Sequence, residues 1–360
     1  VLKIKNRKRF FVISDDLTGS NGISGMMAKY CDTITFNVEK IFSRDVIDTD
    51  FECATINIQT RMVNEMKSYK ISLKIKNFFE KHNIKFGKRI DSTLRGNIEK
   101  EILPFSKENV LIFTDTIPEY GRYTENGFTI MGDKKLSIVE KFQEIKALPI
   151  DLKNLRNIDP EEDKGTVFIV DSKTHEDLRI ISKIVLEKGF VPVDPIPMVS
   201  NVGRLFLKKK DEKKCNFMNI KKISYIIGSN ELNTKKQVDW ACNRGFELGD
   251  LNNFLSLKND NIIKFDLFKD INLLNKNLIT FLKGFDAIVL SGGETANFIF
   301  KMAKGSYIKT ICDIQPLIGV GKIIGGDLNG KIIITKGGSI GSDDVYIRIR
   351  DFLKGEKYEK

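Results

Sequence analysis

Phe10-Phe11-Val12-Ile13-Ser14-Asp15-Asp16-Leu17-Thr18-Gly19 is the stretch that decides the fold. Residues 10–14 read as a short buried strand, and two carboxylates stand directly at its end. In parallel α/β sheets, ligands bind beyond the carboxyl ends of the strands. A strand that hands over to Asp15-Asp16 therefore sets both the architecture and the place to look for chemistry.

Working outward, the same grammar recurs. Strands are predicted at 33–38, 53–59, 85–91, 110–115, 166–171 and 190–194. A helix is predicted over 64–82, where Ile71, Ile75, Phe78 and Phe79 fall at helical spacing, with others near 97–104 and 176–188. Alternation of short apolar strands with helices predicts an α/β fold with a mainly parallel sheet and helices on its faces. Residues 208–216 are polar, charged and without periodicity, and read as a linker. A second set follows: strands at 223–228, 261–268 and 286–290, helices over 233–244 and 272–283 and from Thr295. Asp327-Leu328-Asn329-Gly330 reads as a hairpin with an Asn-Gly turn, and Ser342 as the cap of a last helix. At 360 residues the chain is longer than one core usually serves, so two α/β domains are expected, at 1–210 and 217–360, with an active-site cleft between them.

Composition narrows the function classes. No apolar run approaches the roughly 18–20 residues of a membrane span, so no membrane partner is expected. The apolar stretch after the basic start is only residues 10–13, too short for a signal peptide. The five cysteines are odd in number and include no CxxC pair, which predicts neither a disulfide framework nor a zinc site and fits a reducing cytoplasmic setting. With only His82 and His175 present, Ser-His-Asp and HExxH chemistries have little to build on. The net charge of +11 suits an anionic small molecule or nucleic acid. The lysines are spread along the chain, and the densest run, 208–214, is broken by Asp211 and Glu212. A solvated lysine-rich surface is the plain reading, and no nucleic-acid partner is expected. Trp240 falls on an amphipathic helix and reads as core.

The polar residues at strand ends carry the rest. Asp15-Asp16 suits a metal, a hydroxyl or a general base, while a helix cap accounts for one of the two. Asp91-Ser92-Thr93-Leu94-Arg95-Gly96 puts a carboxylate, two hydroxyls and a guanidinium into one turn. Arginine suits bidentate carboxylate recognition, and Arg61 and Arg122 also follow strands. A polar turn with a cap is the plainer alternative. The later strand ends are glycine-rich: Gly228-Ser229-Asn230, Gly292-Gly293-Glu294-Thr295 and Lys336-Gly337-Gly338-Ser339-Ile340-Gly341. Glycine permits close backbone approach, and a helix N-terminus offers free N–H groups to phosphate. Two decoys fall away. Gly325 to Lys331 spells GxxxxGK, but Ile332 stands where Ser or Thr would hold magnesium. Gly319-Val320-Gly321 misses the GxGxxG spacing. His175 reads as part of a polar helix start.

Taken in order, Asp15-Asp16-Leu17-Thr18-Gly19, Asp91 to Gly96, Pro118-Glu119-Tyr120-Gly121-Arg122, Gly292 to Thr295 and Lys336-Gly337-Gly338 resemble the four-carbon acid sugar kinase family, from about Phe10 to Phe352. The resemblance implies a sugar-acid domain at 1–210 and a nucleotide domain at 217–360. It implies ATP and Mg²⁺ as cofactors and a tetronate or oxo-tetronate as substrate. Substrate binding is carried onto Asp15, Asp16, Arg61, Asp91, Ser92, Thr93, Arg95 and Arg122, with Asp16 or Asp91 as the general base. Nucleotide binding is carried onto Ser229, Gly292, Gly293, Glu294, Thr295, Gly337 and Gly338. Ser14 and Ile340 depart from the family's usual Ala and Phe. A non-catalytic sensor of a sugar acid or nucleotide is the competing reading, and a homo-oligomer is compatible with either.

Overall fold

The computed structural model describes residues 8–41, 43, 46, 49–213, 215, 220–258, 260–270 and 276–356. Among the described residues, one sheet of fifteen strands has the order β13-β14-β12-β15-β18-β17-β16-β2-β3-β1-β4-β11-β5-β10-β9. The N-terminal half supplies β1 (Phe10–Ser14), β2 (Thr33–Asn37), β3 (Cys53–Asn57), β4 (Lys85–Arg89), β5 (Leu111–Phe113), β9 (Lys146–Ile150), β10 (Thr166–Val170) and β11 (Val191–Asp194), all mutually parallel. The C-terminal half supplies parallel β12 (Ile223–Ile227), β13 (Glu247–Gly249), β14 (Asn261–Lys264), β15 (Ala287–Ser291) and β18 (Ile332–Lys336). Three antiparallel steps join the halves: β18 to β17 (Ile318–Ile324), β17 to β16 (Tyr307–Gln315), and β16 to β2. Three reversals leave the two parallel sets running in opposite senses. Register shifts between Thr310 and Cys312 and between Asp313 and Gln315 bend β16 at this junction. A separate antiparallel sheet, β6 (Arg122–Glu125), β7 (Phe128–Met131) and β8 (Lys134–Ser137), lies beside the N-terminal half.

The expected α/β class, with helices packed on a mainly parallel sheet, is the fold observed. Phe10–Ser14 is a strand with every residue buried, as its apolar run requires. The helix expected at 64–82 spans Glu65–Lys81. Asn64 caps its start by accepting from the Lys67 N–H, and Ser68, Ser72, Ile75 and Phe79 face the core. Four details differ. The strand expected over 261–268 ends at Lys264, and Leu267–Asp270 turns helical. The helix expected over 272–283 is described as Lys276–Leu282, and residues 271–275 lie outside the described residues. The hairpin before β18 exists, but residues 325–331 form it, with Gly325, Gly326 and Gly330 in the left-handed region, so it is not a two-residue Asn-Gly turn. The last helix begins at Val345. Ser342 bonds the Asp344 carboxylate rather than a helix N–H, so it is not the cap.

A fifth difference concerns the cysteines. Cys215 and Cys312 form a disulfide across a sequence separation of 97. Spacing rules detect local pairs, whereas here the fold brings the connecting segment beside β16. Cys31, Cys53 and Cys242 are free.

The helix Leu17–Ala28 ties the halves together. It follows β1 in the N-terminal half, yet Leu17 packs into a core formed by β12, β14, β15 and β18. Every residue but Met26 is buried. Three glycines cost the helix about 1 kcal/mol each in intrinsic propensity. Two of them face the junction: a Cβ on Gly22 would lie 3.0 Å from Leu317 Cα, and one on Gly25 would lie 2.8 Å from the Cys312 carbonyl, while Gly19 packs on the Arg89 guanidinium. Asn21 stitches the same face by donating to the Gly319 carbonyl (3.0 Å) and the Thr335 hydroxyl (3.1 Å).

Candidate functional site

The carboxyl ends of β1, β4, β12, β15 and β18 open onto one cleft of 480 Å³. Its lining on the N-terminal side includes Asp16, Thr18, Arg61, Arg89, Asp91, Ser92 and Arg95. Facing them are Gly228, Ser229, Glu231, Gly292 to Thr295, and Gly337 to Ile340.

Asp16 serves both readings drawn from the sequence. Its Oδ1 caps the helix Leu17–Ala28, accepting from the Gly19 N–H (2.5 Å) and the Thr18 hydroxyl (3.0 Å). Its Oδ2 pairs with Arg61 and lies close against Gly293 from the other half, where a Cβ would sit 2.8 Å away. Asp15 lies behind, accepting from Arg61 Nε (2.8 Å) and Arg89 Nη1 (2.7 Å). Arg61 Nη2 reaches Asp91 Oδ1 at 3.0 Å, and Arg95 Nε donates to Asp91 Oδ2 at 3.0 Å. Thr93 also donates its hydroxyl to Asp91. The expected residues Asp15, Asp16, Arg61, Asp91, Ser92, Thr93 and Arg95 thus belong to one constellation.

The electrostatics follow from this packing. Burial works to raise the Asp15 carboxyl, but Arg61, Arg89 and Lys88 outweigh it and hold the group below its ordinary range. Asp91 is likewise buried, and Arg61 and Arg95 hold it well down. Arg61 is buried too, and Asp15, Asp16 and Asp91 raise it well above its usual value. Burial, then the Asp16 charge, pushes Glu294 up. One oxygen from each of Asp15, Asp16 and Asp91 lies within 4.8 Å of the others, close enough to share a cation. The Arg61 guanidinium pairs with all three, and Arg89 and Arg95 complete a balance of three positive against three negative charges. The triad is compensated by arginine, which leaves these carboxylates little net charge with which to hold a resident divalent ion.

Across the cleft, the glycine turns pack on each other. A Cβ on Gly228 would meet Thr295 Oγ1 at 2.2 Å, and one on Gly338 would meet Ser229 Oγ at 2.1 Å. Only glycine allows these approaches. Gly292, at φ 107°, is in a conformation other residues rarely adopt, and starts the helix Gly293–Met302. The first turn of that helix, Gly293 to Thr295, lines the cleft, which places the helix N-terminus at its wall. Thr234 Oγ1 donates to the Gly338 carbonyl (2.7 Å), and Asn233 Nδ2 to the Ser339 carbonyl (3.1 Å). The carbonyls of the last turn are therefore engaged from beneath.

Arg122 is the exception among the expected site residues. It is buried against Asp115 (3.1 Å) and does not line the cleft, because β6 carries it into the small sheet. Three residues were missed. In the sequence Lys88 and Arg89 fall inside the strand expected over 85–91, and Glu231 falls just before the helix expected over 233–244. In the structure Arg89 anchors Asp15, Lys88 pairs with Glu101 at 2.7 Å beneath it, and Glu231 meets Arg95. A fully buried basic dipeptide leaves no periodicity; its one trace is Arg89's position two residues before Asp91.

Residues 10–158 match a family described as a sugar-binding N-terminal domain. The fold is that of Haemophilus influenzae protein HI1011, solved as family-model DUF1537: 14% identity, 95% of this chain and 100% of that one, TM-score 0.67. It is equally that of a putative tRNA synthase from Salmonella typhimurium LT2: 13% identity, 96% of this chain and 100% of that one, TM-score 0.70. No curated protein matches the chain in sequence. Over residues 10–158 the chain is thus similar to a sugar-binding N-terminal domain, and its fold is shared with a structure solved as family-model DUF1537. DUF1537 is the four-carbon acid sugar kinase family, the one the motifs resemble.

Proposed function

We propose that the protein is an ATP-dependent kinase that phosphorylates a hydroxyl of a four-carbon sugar acid of the threonate, erythronate or 3-oxo-tetronate type. The observation that carries this reading is the composition of the two cleft walls. One presents carboxylates and arginines, fit for hydroxyls and a carboxylate; the other presents glycine turns and a helix N-terminus, fit for phosphates.

Phosphoryl transfer asks for positioning and charge neutralisation more than covalent chemistry. Mg·ATP enters as a substrate pair, its phosphates facing Gly292 to Thr295 and Gly337-Gly338. Arg95, about half exposed at the cleft mouth, is the arginine most open to a substrate carboxylate. Between the two candidate bases, geometry favours Asp16. Asp91 is held by Arg61, Arg95 and Thr93 and kept well below the ordinary range, which makes it a poor proton acceptor. Asp16 has one oxygen committed to the helix cap and the other at the seam between the two walls. In this reading Asp16 Oδ2 takes the proton of the substrate hydroxyl as the hydroxyl oxygen attacks the γ-phosphorus, the bond from that phosphorus to the β,γ-bridging oxygen breaks, and ADP leaves.

The test is ADP release from Mg·ATP across a panel of tetronates, oxo-tetronates and glycerate. Turnover with one member supports the reading. Nucleotide binding without turnover on any of them favours a non-catalytic sensor.

A further inference from the structure

Lys336, the last residue of β18, has no exposed surface. Among the described residues, no carboxylate pairs with it. Its Nζ instead donates to three backbone carbonyls of the turn that follows: Gly337 at 2.9 Å, Gly338 at 3.2 Å and Ile340 at 2.9 Å. An ammonium has three N–H donors, and here each has its own acceptor. The fourth neighbour is the Tyr346 ring, whose centroid lies 5.4 Å from Nζ. Tyr346 in turn donates its hydroxyl to Ser291 Oγ at 3.0 Å, and the Lys336 carbonyl accepts from the Gly292 N–H at 2.9 Å. Two of the three glycine turns of the phosphate wall, at Gly292 and at 337–340, are thus hung from one residue.

Burying a lone ammonium is costly, and burial alone pushes Lys336 down to about 7. A leucine or methionine would fill the same volume without that penalty. What the apolar residue could not do is gather carbonyls that would otherwise face one another across a glycine turn. With the carbonyls drawn inward, the N–H groups of Gly338 and Ser339 have no acceptor among the described residues and border the cleft.

We infer that Lys336 is a positioning residue whose buried ammonium takes the place of a bound monovalent cation, holding the 337–340 turn in the shape that offers its N–H groups to the nucleotide phosphates. The inference rests on the nucleotide reading of this wall. It implies a protein that needs no potassium or ammonium ion to form its phosphate site.

The experiment is titration calorimetry of Mg·ADP and of the active sugar acid with the wild type, Lys336→Ala and Lys336→Met. In sodium buffer, both variants are expected to lose at least tenfold in nucleotide affinity and to keep sugar-acid affinity within twofold. Ammonium, methylammonium or potassium chloride is expected to recover nucleotide binding by Lys336→Ala, whose cavity admits the ion, and not by Lys336→Met, whose side chain fills it. The wild type is expected to be indifferent to the same salts. Unchanged nucleotide affinity, an equal loss for both ligands, or recovery by no cation would overturn the inference. If the wild type binds no nucleotide, the functional reading fails separately. Hydrogen exchange at residues 337–341 then decides the inference alone: faster exchange in Lys336→Ala, slowed again by ammonium, sustains it, and exchange equal to wild type removes it.

Discussion

Arg95 donates to Glu231 at 3.0 Å and so bridges the mouth of the cleft, from the wall that carries the carboxylates to the wall that carries the glycine turns. Both side chains are about half exposed, at 47% and 46%. Such a pair contributes roughly 0–1 kcal/mol. It is weak enough for an incoming substrate carboxylate to displace, and it holds Arg95 where that carboxylate would bind. Replacing Glu231 by Gln should therefore tighten the sugar acid by up to about fivefold in Kd, with nucleotide affinity unchanged. Arg95→Lys should weaken the sugar acid far more than ATP, since the bidentate fork is lost. Calorimetry with each ligand separates the two; equal losses for both would misplace Arg95.

Asp16→Asn should lower turnover by about 10²–10⁴-fold while sparing ATP binding. Asp91→Asn should act differently. It removes a partner from both Arg61 and Arg95, so its main effect should be on sugar-acid affinity. Steady-state kinetics on both variants would distinguish them. A near-normal rate for Asp16→Asn would transfer the base role elsewhere.

Gly25→Ala should destabilise the protein by roughly 1–3 kcal/mol. The new methyl would press on the Cys312 carbonyl at 2.8 Å and its carbon at 3.1 Å, both backbone atoms of the strand that joins the halves. Denaturant unfolding reads this directly, and a variant as stable as wild type would show that the junction can give way.

Reducing the Cys215–Cys312 disulfide frees a loop of 97 residues' separation. Loss of the cross-link should cost about 2–4 kcal/mol. Cys215→Ser should lower Tm under oxidising conditions and make Tm insensitive to reductant, whereas the wild type should respond to it.

Asp194 gives a pH dependence with a definite sign. It is fully buried and accepts from the Met198 and Val199 N–H groups, and burial pushes it up to about 7 despite those bonds. Between its usual range near 4 and pH 7 the folded state binds more protons than the unfolded one. The contribution of this group to stability is thus present at low pH and lost as pH rises through about 7. Asp115, also pushed up to about 7 by burial, acts in the same direction. Asp194→Asn should flatten the fall in Tm over pH 4 to 7; an unchanged slope would show that Asp194 ionises freely in the fold.

Much of this was legible in the chain. Phe10–Ser14 and the helix capped by Asn64 announce themselves by burial periodicity and capping chemistry, both local signals. The same holds for the strand-end motifs, because residues that follow parallel strands are delivered to the same edge. What stayed hidden depends on partners far away in sequence. Arg89 gains its meaning only from Asp15, 74 residues earlier, and Glu231 from Arg95, 136 residues earlier. The junction strand β16 alternates in burial over its first six residues, but its polarity does not follow: Thr310 and Asp313 are buried and Ile311 is exposed. Arg122 was misplaced for the opposite reason: its motif is local, but the strand behind it leads away from the cleft.

The pairing of β16 with β2 also bears on how the protein can be handled in the laboratory. A fragment ending near residue 207 would keep the matched sugar-binding segment, yet it would leave the backbone of β2 unpaired on one side and expose Leu17, Asn21 and the glycine face of the first helix. Bare strand edges beside apolar surface invite self-association. The N-terminal half is thus not a detachable module, and ligand studies on it require the chain to be made in one piece.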